Sequence, residues 1–493
     1  MTTRRTFLTG AAAVAALTPV PASLWAQALA ASSELVFTVD PQRKLATMPL
    51  NFTGLSYETA QLGHPEYFST SNKPLIALIR LLGKQGVLRI GGNTSDFTSW
   101  SDNDADAAKN NTPKAIGPDA GTGAQTASII TPHAIRNLNA FAEAIDWQVI
   151  YGLNLKRGTV ENAVAEAKCV AATLGSRLLA FQIGNEPDHS YRIQAAASAP
   201  VQTLTLTFEE YFDRWTKFHD AVRKAVPSAR FAGPDNAGHY EWLAKMEEKH
   251  ADVDFFTAHF YAEGPPSDPS MTLEYLLRRG KLATSGQIPL VQKVMAASGK
   301  PFRLTEGNSC FHGGKLGVSD TVASALWGGD FMLQLAQAGY CGVNLHGGGN
   351  GYYTPIAGDI EQGFIARPVF YGMLLAERFV GSSLVETSLS TQTEAQNVTG
   401  FAASSQDGWK LALFNKAPNA VEVSIKGLGA THATGKVTLM HGKQIDAKDG
   451  VTFGDSSVTP DGAFSPKPQQ AITFRGGQGR IELPAYTAAY IQI

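Results

Sequence analysis

Two glutamates in this chain each follow a short apolar run and are flanked by glycine and asparagine. Glu186 lies in Phe-Gln-Ile-Gly-Asn-Glu-Pro (181–187), and Glu306 lies in Phe-Arg-Leu-Thr-Glu-Gly-Asn (302–308). Because glycine and proline interrupt a strand, the pattern predicts a carboxyl group at the end of each run. In a parallel α/β barrel, the carboxyl ends of the strands carry the catalytic residues. Two carboxyl groups placed in this way are the minimum needed to hydrolyse a glycosidic bond.

The elements that must position these glutamates alternate between short apolar runs and amphipathic stretches from residue 46 to residue 378. This alternation favours an α/β fold with a (β/α)8 TIM barrel. A doubly wound open sheet is the alternative, but no Gly-x-Gly-x-x-Gly turn follows the first strand. The predicted strands are 52–57, 87–91, 148–153, 178–184, 230–233, 253–261, 301–306 and 342–346, and the predicted helices are 73–82, 132–145, 160–174, 208–225, 242–249, 273–297 and 319–338.

The texture of the sequence changes after the barrel. Residues 379–493 contain short alternating strands separated by Gly, Asp, Asn and Pro, which predicts a C-terminal β-sandwich domain. Residues 31–45 contain a similar alternating segment before the first barrel strand. We expect that segment to join the sandwich, so that the smaller domain is discontinuous.

Residues 1–30 resemble an export signal. Arg4 and Arg5 precede an apolar run that is too short to span a bilayer, followed by small residues to Ala30. Paired arginines are typical of bacterial twin-arginine signals, and an ordinary secretory signal is the alternative. The sequence therefore predicts a periplasmic or secreted protein that has no contact with a membrane once the signal is removed.

The composition argues against several classes of function. The formal net charge is -2, with 44% apolar and 17% charged residues, and no basic run or base-stacking motif predicts binding to nucleic acid. The three cysteines form no disulfide framework, so free thiols are expected, with a Cys310–Cys341 bridge as the alternative. The glycine cluster at 347–351 predicts a loop at the barrel mouth and not a phosphate cradle. We expect a monomer without a cofactor.

The motifs together resemble the clan A retaining glycoside hydrolases and, within them, family 79, which comprises bacterial β-glucuronidases and heparanases. The resemblance covers most of the barrel, and each motif follows a successive predicted strand. Besides the two glutamate motifs, it rests on the segments 54–58 (Gly-Leu-Ser-Tyr-Glu), 88–97 (Leu-Arg-Ile-Gly-Gly-Asn-Thr-Ser-Asp-Phe), 151–154 (Tyr-Gly-Leu-Asn), 257–261 (Thr-Ala-His-Phe-Tyr), Gly313-Gly314 and 319–321 (Ser-Asp-Thr).

The resemblance implies that Glu186 is the general acid/base and Glu306 the nucleophile of a retaining, exo-acting β-glucuronidase. Glu186 must then hold a proton near neutral pH, and we expect a raised pKa for it. Asn185 is similar to the amide of the clan that binds the 2-hydroxyl of the sugar. The remaining candidates for binding the sugar are Glu58, Asn93, Asp96, Tyr240, His259, Tyr261 and His346. For Asp96 a cap on the following turn is the alternative, and for His259 and Tyr261 it is packing in the barrel wall.

One position departs from the family pattern. Members that act on glucuronic acid carry a tyrosine five residues after the nucleophile, followed by glycine amides, and these groups hold the carboxylate. Here the position is Phe311, followed by His312, Gly313 and Gly314. The glycine N–H groups could still bind an anion, and His312 could replace the missing hydroxyl. Alternatively, the site accepts a 4-O-methyl or otherwise substituted uronic acid, or a neutral sugar.

Two other classes of function remain as alternatives. A metal-dependent hydrolase would need a His-x-His or a mixed ligand cluster, and the eleven histidines show no such spacing, so no metal ligand is predicted. A carbohydrate-binding barrel often loses one of the two carboxylates, whereas both are present here. The expected partner is therefore a β-linked uronic acid glycoside or oligosaccharide. The loop at 101–128 is expected to lie over the site.

Overall fold

The computed structural model describes residues 34–110, 128–193, 202–347, 351–393, 395–429 and 432–493, without the side chains of 191–193, 202 and 279–285. The predicted signal at 1–30, most of the loop at 101–128 and the glycines 348–350 lie outside these residues. No helix in the described ranges has the length and apolar character required to cross a membrane.

Eight parallel strands form a closed barrel in which every strand pairs with its neighbours. Their side chains are almost all buried, because helices cover the outside and packed side chains fill the inside. In barrel order the strands are β2 (Thr53–Glu58), β3 (Val87–Gly91), β6 (Gln148–Leu153), β7 (Leu178–Ile183), β10 (Phe231–Asn236), β11 (Phe255–Glu263), β12 (Phe302–Cys310) and β13 (Gly342–His346).

The bounds of three predicted strands, 87–91, 148–153 and 342–346, coincide with β3, β6 and β13. The prediction that a strand ends at Glu306 was wrong, because β12 continues to Cys310. Pairing with β11 holds the additional residues, since Asn308 pairs with Tyr261 and Cys310 with Glu263. Glu306 is therefore a residue within a strand, which fixes its backbone on both sides.

Four of the described α-helices follow a residue whose side chain accepts a hydrogen bond from a free backbone N–H group, and these residues are Asn72, Thr159, Thr207 and Thr272. Thr207 and Glu210 form a reciprocal capping box, and Thr159 accepts a hydrogen bond from the N–H of Asn162. The helices are α1 (Lys73–Leu81), α2 (Pro132–Ile145), α3 (Val160–Leu174), α4 (Phe208–Ala225), α5 (Glu241–Glu248), α6 (Leu273–Ser298), α7 (Val322–Gln337) and α8 (Pro368–Glu377).

The remaining large sheet differs from a sandwich of two separate sheets, because its hydrogen bonds continue around a ring of nine strands. β24 (Thr487–Gln492) pairs with both β18 (Gly408–Asn415) and β20 (His432–His441), which closes the ring, and β21 (Thr452–Phe453) pairs with β20 as a tenth strand. The ring runs through β20 (His432–His441), β22 (Gln470–Arg475), β23 (Gln478–Leu483), β19 (Val421–Lys426), β1 (Leu35–Thr47), β16 (Ser383–Leu389), β17 (Val398–Ser405), β18 (Gly408–Asn415) and β24 (Thr487–Gln492).

The N-terminal strand β1 is one of the nine strands of this ring, and it pairs antiparallel with β16 and parallel with β19. Its register shifts twice between Asp40 and Ala46, and such bulges bend a strand. The other strands form small pairs: β4 (Thr98–Trp100) with β5 (Ser128–Ile130), β8 (Tyr191–Ile193) with β9 (Gln202–Leu204), and β14 (Ile356–Asp359) with β15 (Gly363–Ala366); β21 is Thr452–Phe453.

The three cysteines are free. Cys310 ends β12, whereas Cys341 lies beside the beginning of that strand, where its N–H donates to the carbonyl of Phe302. The length of β12 separates the two thiols, so the alternative of a Cys310–Cys341 bridge was wrong.

A buried ion pair joins the barrel to the large sheet. Lys416, just after β18, pairs with Asp330 of α7, and neither side chain is exposed to solvent. The second carboxylate oxygen of Asp330 has no hydrogen-bond partner among the described residues. Lys416 is therefore the main compensation for this buried charge.

Replacing Lys416 by methionine is expected to lower the free energy of unfolding by about 3–5 kcal/mol, because Asp330 would remain buried without its partner. The double variant Lys416→Met/Asp330→Leu should lose less than Lys416→Met alone, since no charge is left in the interior. Urea denaturation of the wild type, both single variants and the double variant measures this coupling. Strictly additive losses would contradict it.

Candidate active site

Glu186 is held by a strained turn directly after β7. Gly184 and Glu186 have φ angles of 95° and 43°, in the left-handed region that a glutamate rarely adopts. The N–H of Glu186 donates to the carbonyl of Asp235 at 3.0 Å, which ties the turn to β10. Strain of this kind persists where surrounding contacts fix it, and it is concentrated at functional sites.

Glu306 lies across the barrel mouth from Glu186. Its Oε1 accepts a hydrogen bond from the hydroxyl of Tyr261 at 2.8 Å, and its Oε2 accepts one from Arg89 at 2.7 Å. One carboxylate oxygen of Glu306 and one of Glu186 lie within 4.8 Å of each other. The structure therefore brings the two predicted catalytic residues together, with both oxygens of Glu306 oriented by donors.

Arg89 of β3 is the hub of the site. Its guanidinium, 1% exposed, donates to Glu306, to Oδ1 of Asn185 at 2.8 Å and to Oδ2 of Asp235 at 2.6 Å. Further bonds to Gln182 and Ser56 fix its orientation. A planar guanidinium with several donors suits this task, since it can hold several acceptors at fixed angles.

A hydrogen-bonded chain connects the two glutamates behind the site. His259 Nδ1 lies 3.0 Å from Glu186 Oε1, and His259 Nε2 lies 3.1 Å from Asp235 Oδ1. Arg89 joins Asp235 to Glu306. Because the chain is buried, a charge change at one glutamate is felt by the other with little screening by water.

In this hydrogen-bonded chain, neighbouring charges outweigh burial in setting the pKa values of His259 and Asp235. Burial alone would lower the pKa of His259, but the carboxylates of Asp235 and Glu306 outweigh burial and raise it to about 10. Burial alone would raise the pKa of Asp235, but His259 and Arg89 hold it below its usual value. His259 is therefore an imidazolium at neutral pH, and Asp235 is ionised.

The expectation of a raised pKa for Glu186 is wrong for the unliganded site. Burial does act in that direction, but hydrogen bonds from His189 and His259 outweigh it and hold the pKa of Glu186 well below its ordinary value. His189 was not among the predicted site residues, and His259 was predicted only as a sugar-binding residue. His189 Nδ1 lies 3.2 Å from Glu186 Oε2.

Asn185, Asn93, Glu58 and His346 also line the site. Asn185 donates to Oδ1 of Asn93 at 3.2 Å, and Glu58 accepts from the N–H and hydroxyl of Thr94. His346 lies 3.5 Å from Glu58 and 3.7 Å from Glu306. These groups form a polar wall beside the nucleophile, suited to binding several hydroxyls.

Among the described residues no backbone N–H donates to the carboxylate of Asp96, so the alternative of a cap on the following turn is not supported. Instead Asp96 pairs with Lys156 at 3.1 Å, and both side chains are less than 10% exposed. Burial raises the pKa of Asp96 to about 6, against the opposing charge of Lys156. Asp96 Oδ1 is buried and has no hydrogen-bond partner in the described part of the chain.

Tyr240 does not face the sugar site. Its hydroxyl donates to the backbone carbonyl of His259 at 2.7 Å, so it supports that residue from behind. Tyr261 is part of the site through its bond to Glu306. His259 contacts both Glu186 and Asp235, so the alternative of simple wall packing fails for these two aromatic residues.

The segment after the nucleophile forms the rim. The ring of Phe311 packs edge-on against Tyr261 with centroids 6.4 Å apart. His312 is exposed, and it and the two following glycines have φ angles of 59°, 87° and 85°. A Cβ at Gly314 would lie 2.7 Å from the backbone nitrogen of Tyr353, so only glycine fits there.

Several residues of the site were not predicted from the sequence. Arg89 is a charge inside the predicted buried strand 87–91, and that was an available signal. Asp235 lies two residues beyond the predicted strand 230–233, although the observed strand includes it. His189 follows the Gly-Asn-Glu-Pro turn by two positions. Tyr353, whose ring centroid lies 6.0 Å from that of Tyr261, comes from a loop whose position no periodic pattern predicts.

One trio among the described residues, Glu186, His259 and Glu306, has ligand atoms within 4.8 Å of one another. Those atoms are already engaged, because His259 Nδ1 contacts Glu186 and Glu306 Oε2 is bound by Arg89. A guanidinium at the centre of the cluster also repels a metal ion. The trio is therefore explained as an ion-pair network.

A separate cleft of about 670 Å³ lies at the opposite end of the barrel, beside Leu50, Lys84 and Gln85, which precede β2 and β3. Lys410 and Tyr490 of the large sheet form its other side. It contains none of the residues around Glu186 and Glu306.

No family model matches the chain. Its sequence is 28% identical over 366 residues to a β-glucuronidase from Neurospora crassa, covering 66% of this chain and 63% of the relative. It is 25% identical over 367 residues to a β-glucuronidase from Aspergillus niger, covering 68% of this chain and 65% of the relative. The chain thus matches less than two thirds of the length of either relative.

Two solved structures share the fold. A 4-O-α-L-rhamnosyl-β-D-glucuronidase from Fusarium oxysporum superposes with a TM-score of 0.73 at 19% identity, covering 92% of this chain and 100% of the other. An α-L-arabinofuranosidase from Thermotoga maritima superposes with a TM-score of 0.68 at 16% identity, covering 93% and 100%. The barrel with its large sheet is therefore an architecture found in glycoside hydrolases.

Proposed function

We propose that the protein is a retaining β-glycosidase of family 79 that hydrolyses β-glucuronides by double displacement. The observation that carries this proposal is the separation of Glu186 and Glu306, whose carboxylate oxygens approach within 4.8 Å. Retaining glycosidases place their carboxyl groups about 5–5.5 Å apart, whereas inverting enzymes need roughly 6.5–9.5 Å to admit water between them.

Glu306 acts as the nucleophile. Arg89 and Tyr261 each bind one of its oxygens, and these two bonds fix the orientation of the carboxylate that attacks the anomeric carbon. As the glycosyl ester forms, the negative charge of Glu306 disappears and Arg89 keeps Asp235 as its anionic partner. The guanidinium is thus never left without a counter-charge during the cycle.

Glu186 acts as the acid and then as the base. It gives a proton to the leaving-group oxygen while the bond from the anomeric carbon to that oxygen breaks. In the second step it takes a proton from water, which attacks the same carbon and releases Glu306. Asn185, oriented by Arg89, is placed beside the nucleophile, where a bond to the 2-hydroxyl would strengthen in the transition state.

The choice of glucuronide as substrate rests on the two β-glucuronidases to which the sequence is similar. At the rim, the N–H groups of Gly313 and Gly314 are the donors that we assign to the carboxylate of the sugar. Both glycines have positive φ angles, which turn the backbone at this point. Phe311 cannot supply a hydroxyl. A substituted uronic acid is the second candidate, because the rhamnosyl-glucuronidase has the same fold.

The stereochemistry of the first product tests the proposal. Hydrolysis of 4-nitrophenyl β-glucuronide followed by proton NMR is expected to show the β-anomer of glucuronic acid first, with the α-anomer appearing only by mutarotation. Parallel assays with the 4-O-methyl glucuronide, galacturonide, glucoside and xyloside rank the sugars. Initial release of the α-anomer would refute retention, and a preference for the glucoside or xyloside would refute the uronidase assignment.

A further inference from the structure

The carboxylate of Glu186 is shared between two histidines that differ in exposure. His259, with a side chain 1% exposed, contacts Oε1, and His189, with a side chain 58% exposed, contacts Oε2. His259 is fixed on its other side by Asp235. Only His189 can move away into solvent, so Oε2 is the oxygen that a substrate can reach.

The buried network carries one uncompensated negative charge. The carboxylates of Glu186, Glu306 and Asp235 are opposed by two cations, Arg89 and the imidazolium of His259. Beside the network, His346 lies 3.5 Å from Glu58 and Lys156 lies 3.1 Å from Asp96. One further proton makes the network neutral.

In the unliganded enzyme His189 is the group placed to carry that proton. The hydrogen bond to Glu186 raises the pKa of His189 above its ordinary value, against partial burial, and the charges of Glu186 and Asp188 act in the same direction. Asp188 itself is engaged by three backbone N–H groups of residues 237–239. The charge of Lys156 opposes the shift only weakly.

We propose that His189 is a positioning residue that carries, in the free enzyme, the proton that Glu186 donates during catalysis. The inference rests on the function proposed above. When the leaving-group oxygen of the substrate approaches Oε2, it displaces the imidazole. The N–H bond at Nδ1 of His189 breaks, an O–H bond forms at Oε2 of Glu186, and the neutral imidazole moves towards solvent. No external acid is required, because the proton count is unchanged.

If His189 carries the proton, the pH profiles of kcat/KM and of kcat depend on different groups. The profile of kcat/KM reports the free enzyme, whereas the profile of kcat reports the enzyme–substrate complex. In the free enzyme the essential proton is retained until the His189–Glu186 pair loses it, above the ordinary pKa of histidine. In the complex the proton is already on Glu186.

Replacing His189 by glutamine tests the proposal, since the amide keeps a hydrogen bond but carries no proton. The alkaline limb of kcat/KM is expected to move to lower pH, with about a tenfold loss at fixed alkaline pH for each unit of movement. The alkaline limb of kcat should stay in place. His239→Gln is the matched control, because His239 is also 58% exposed and pairs with a carboxylate, that of Glu241; its profiles should equal those of the wild type.

A second variant and a second measurement complete the test. In His189→Ala, added imidazole is expected to restore kcat/KM at alkaline pH. NMR titration of His189 should show a raised pKa in the wild type and a return towards the ordinary value in Glu186→Gln, a result that does not depend on turnover. An unmoved limb of kcat/KM, or equal movement of both limbs, would overturn the role of His189. Absence of glycoside hydrolysis in the wild type would instead overturn the proposed function while leaving the NMR result to decide on the proton.

Discussion

Replacing Glu306 by glutamine is expected to reduce kcat on 4-nitrophenyl β-glucuronide by roughly 10⁴-fold or more, because the amide cannot attack the anomeric carbon. Glutamine has nearly the same shape as glutamate, and its oxygen can still accept a bond from Arg89. The melting temperature should therefore change little. The measurement is steady-state turnover at saturating substrate, together with thermal denaturation of the same samples.

Glu386→Gln is a suitable control for this change. Glu386 is a partly exposed residue of β16 that pairs with Arg43 on the surface, far from the barrel mouth. Its replacement should leave kcat unchanged. A Glu306→Gln variant that retains more than a few per cent of wild-type turnover would exclude the nucleophilic role, and with it the two-carboxylate mechanism.

Replacing Arg89 by methionine is expected to have the largest effect on stability and to abolish turnover. The carboxylates of Asp235 and Glu306 would remain buried without their guanidinium, and removal of one partner of a buried ion pair costs about 3–5 kcal/mol. The nucleophile would also lose one of its two orienting bonds. Urea denaturation and turnover measure the two effects separately.

The destabilisation of Arg89→Met should depend on pH in a defined direction. In the wild type the pKa of Asp235 lies below its usual value, which stabilises the folded state above the ordinary pKa of an aspartate. Without Arg89 that carboxylate takes up a proton more readily when folded. The difference in free energy of unfolding between wild type and variant should therefore narrow as pH falls from about 7 to about 4.

Arg303→Met is the matched control for Arg89→Met. Arg303 is also 1% exposed, but its guanidinium donates to Asn344 and to the backbone carbonyls of Asn51 and Phe52, and no carboxylate of the described residues forms an ion pair with it. Its loss should lower stability without the pH dependence described above. If both variants show the same pH dependence, the charge argument for Arg89 is wrong.

The barrel could be predicted from the sequence because its strands are predominantly apolar runs. Val87–Gly91 and Gly342–His346 are buried on both faces and end at glycine or a polar residue, so their bounds can be predicted from the sequence alone. The end of β12 was not visible, because Asn308 and Ser309 are polar residues that pairing with β11 keeps in the strand. Tertiary contacts decided this boundary.

The positions of the two glutamates could be predicted from the same runs, since each glutamate follows an apolar run at a predicted strand end. The network around them could not. Arg89 and Asp235 come from strands that are distant in sequence, and only barrel closure brings them together at 2.6 Å. The low pKa of Glu186 follows from His189 and His259, which a sequence argument based on burial alone cannot anticipate.

The closed ring of the large sheet has a consequence for the order of folding. Strand β1 precedes the barrel in the chain, yet its partners β16 and β19 follow it, with Phe37 facing both Leu389 and Ile425. During synthesis the backbone edges of β1 therefore have no partner strands until β16 and then β19 have been made. Pairing between such distant segments is slow, so ring closure is expected to be a late event in folding. A chain that stops before β19 would expose an unpaired edge of β1, which could pair with another chain.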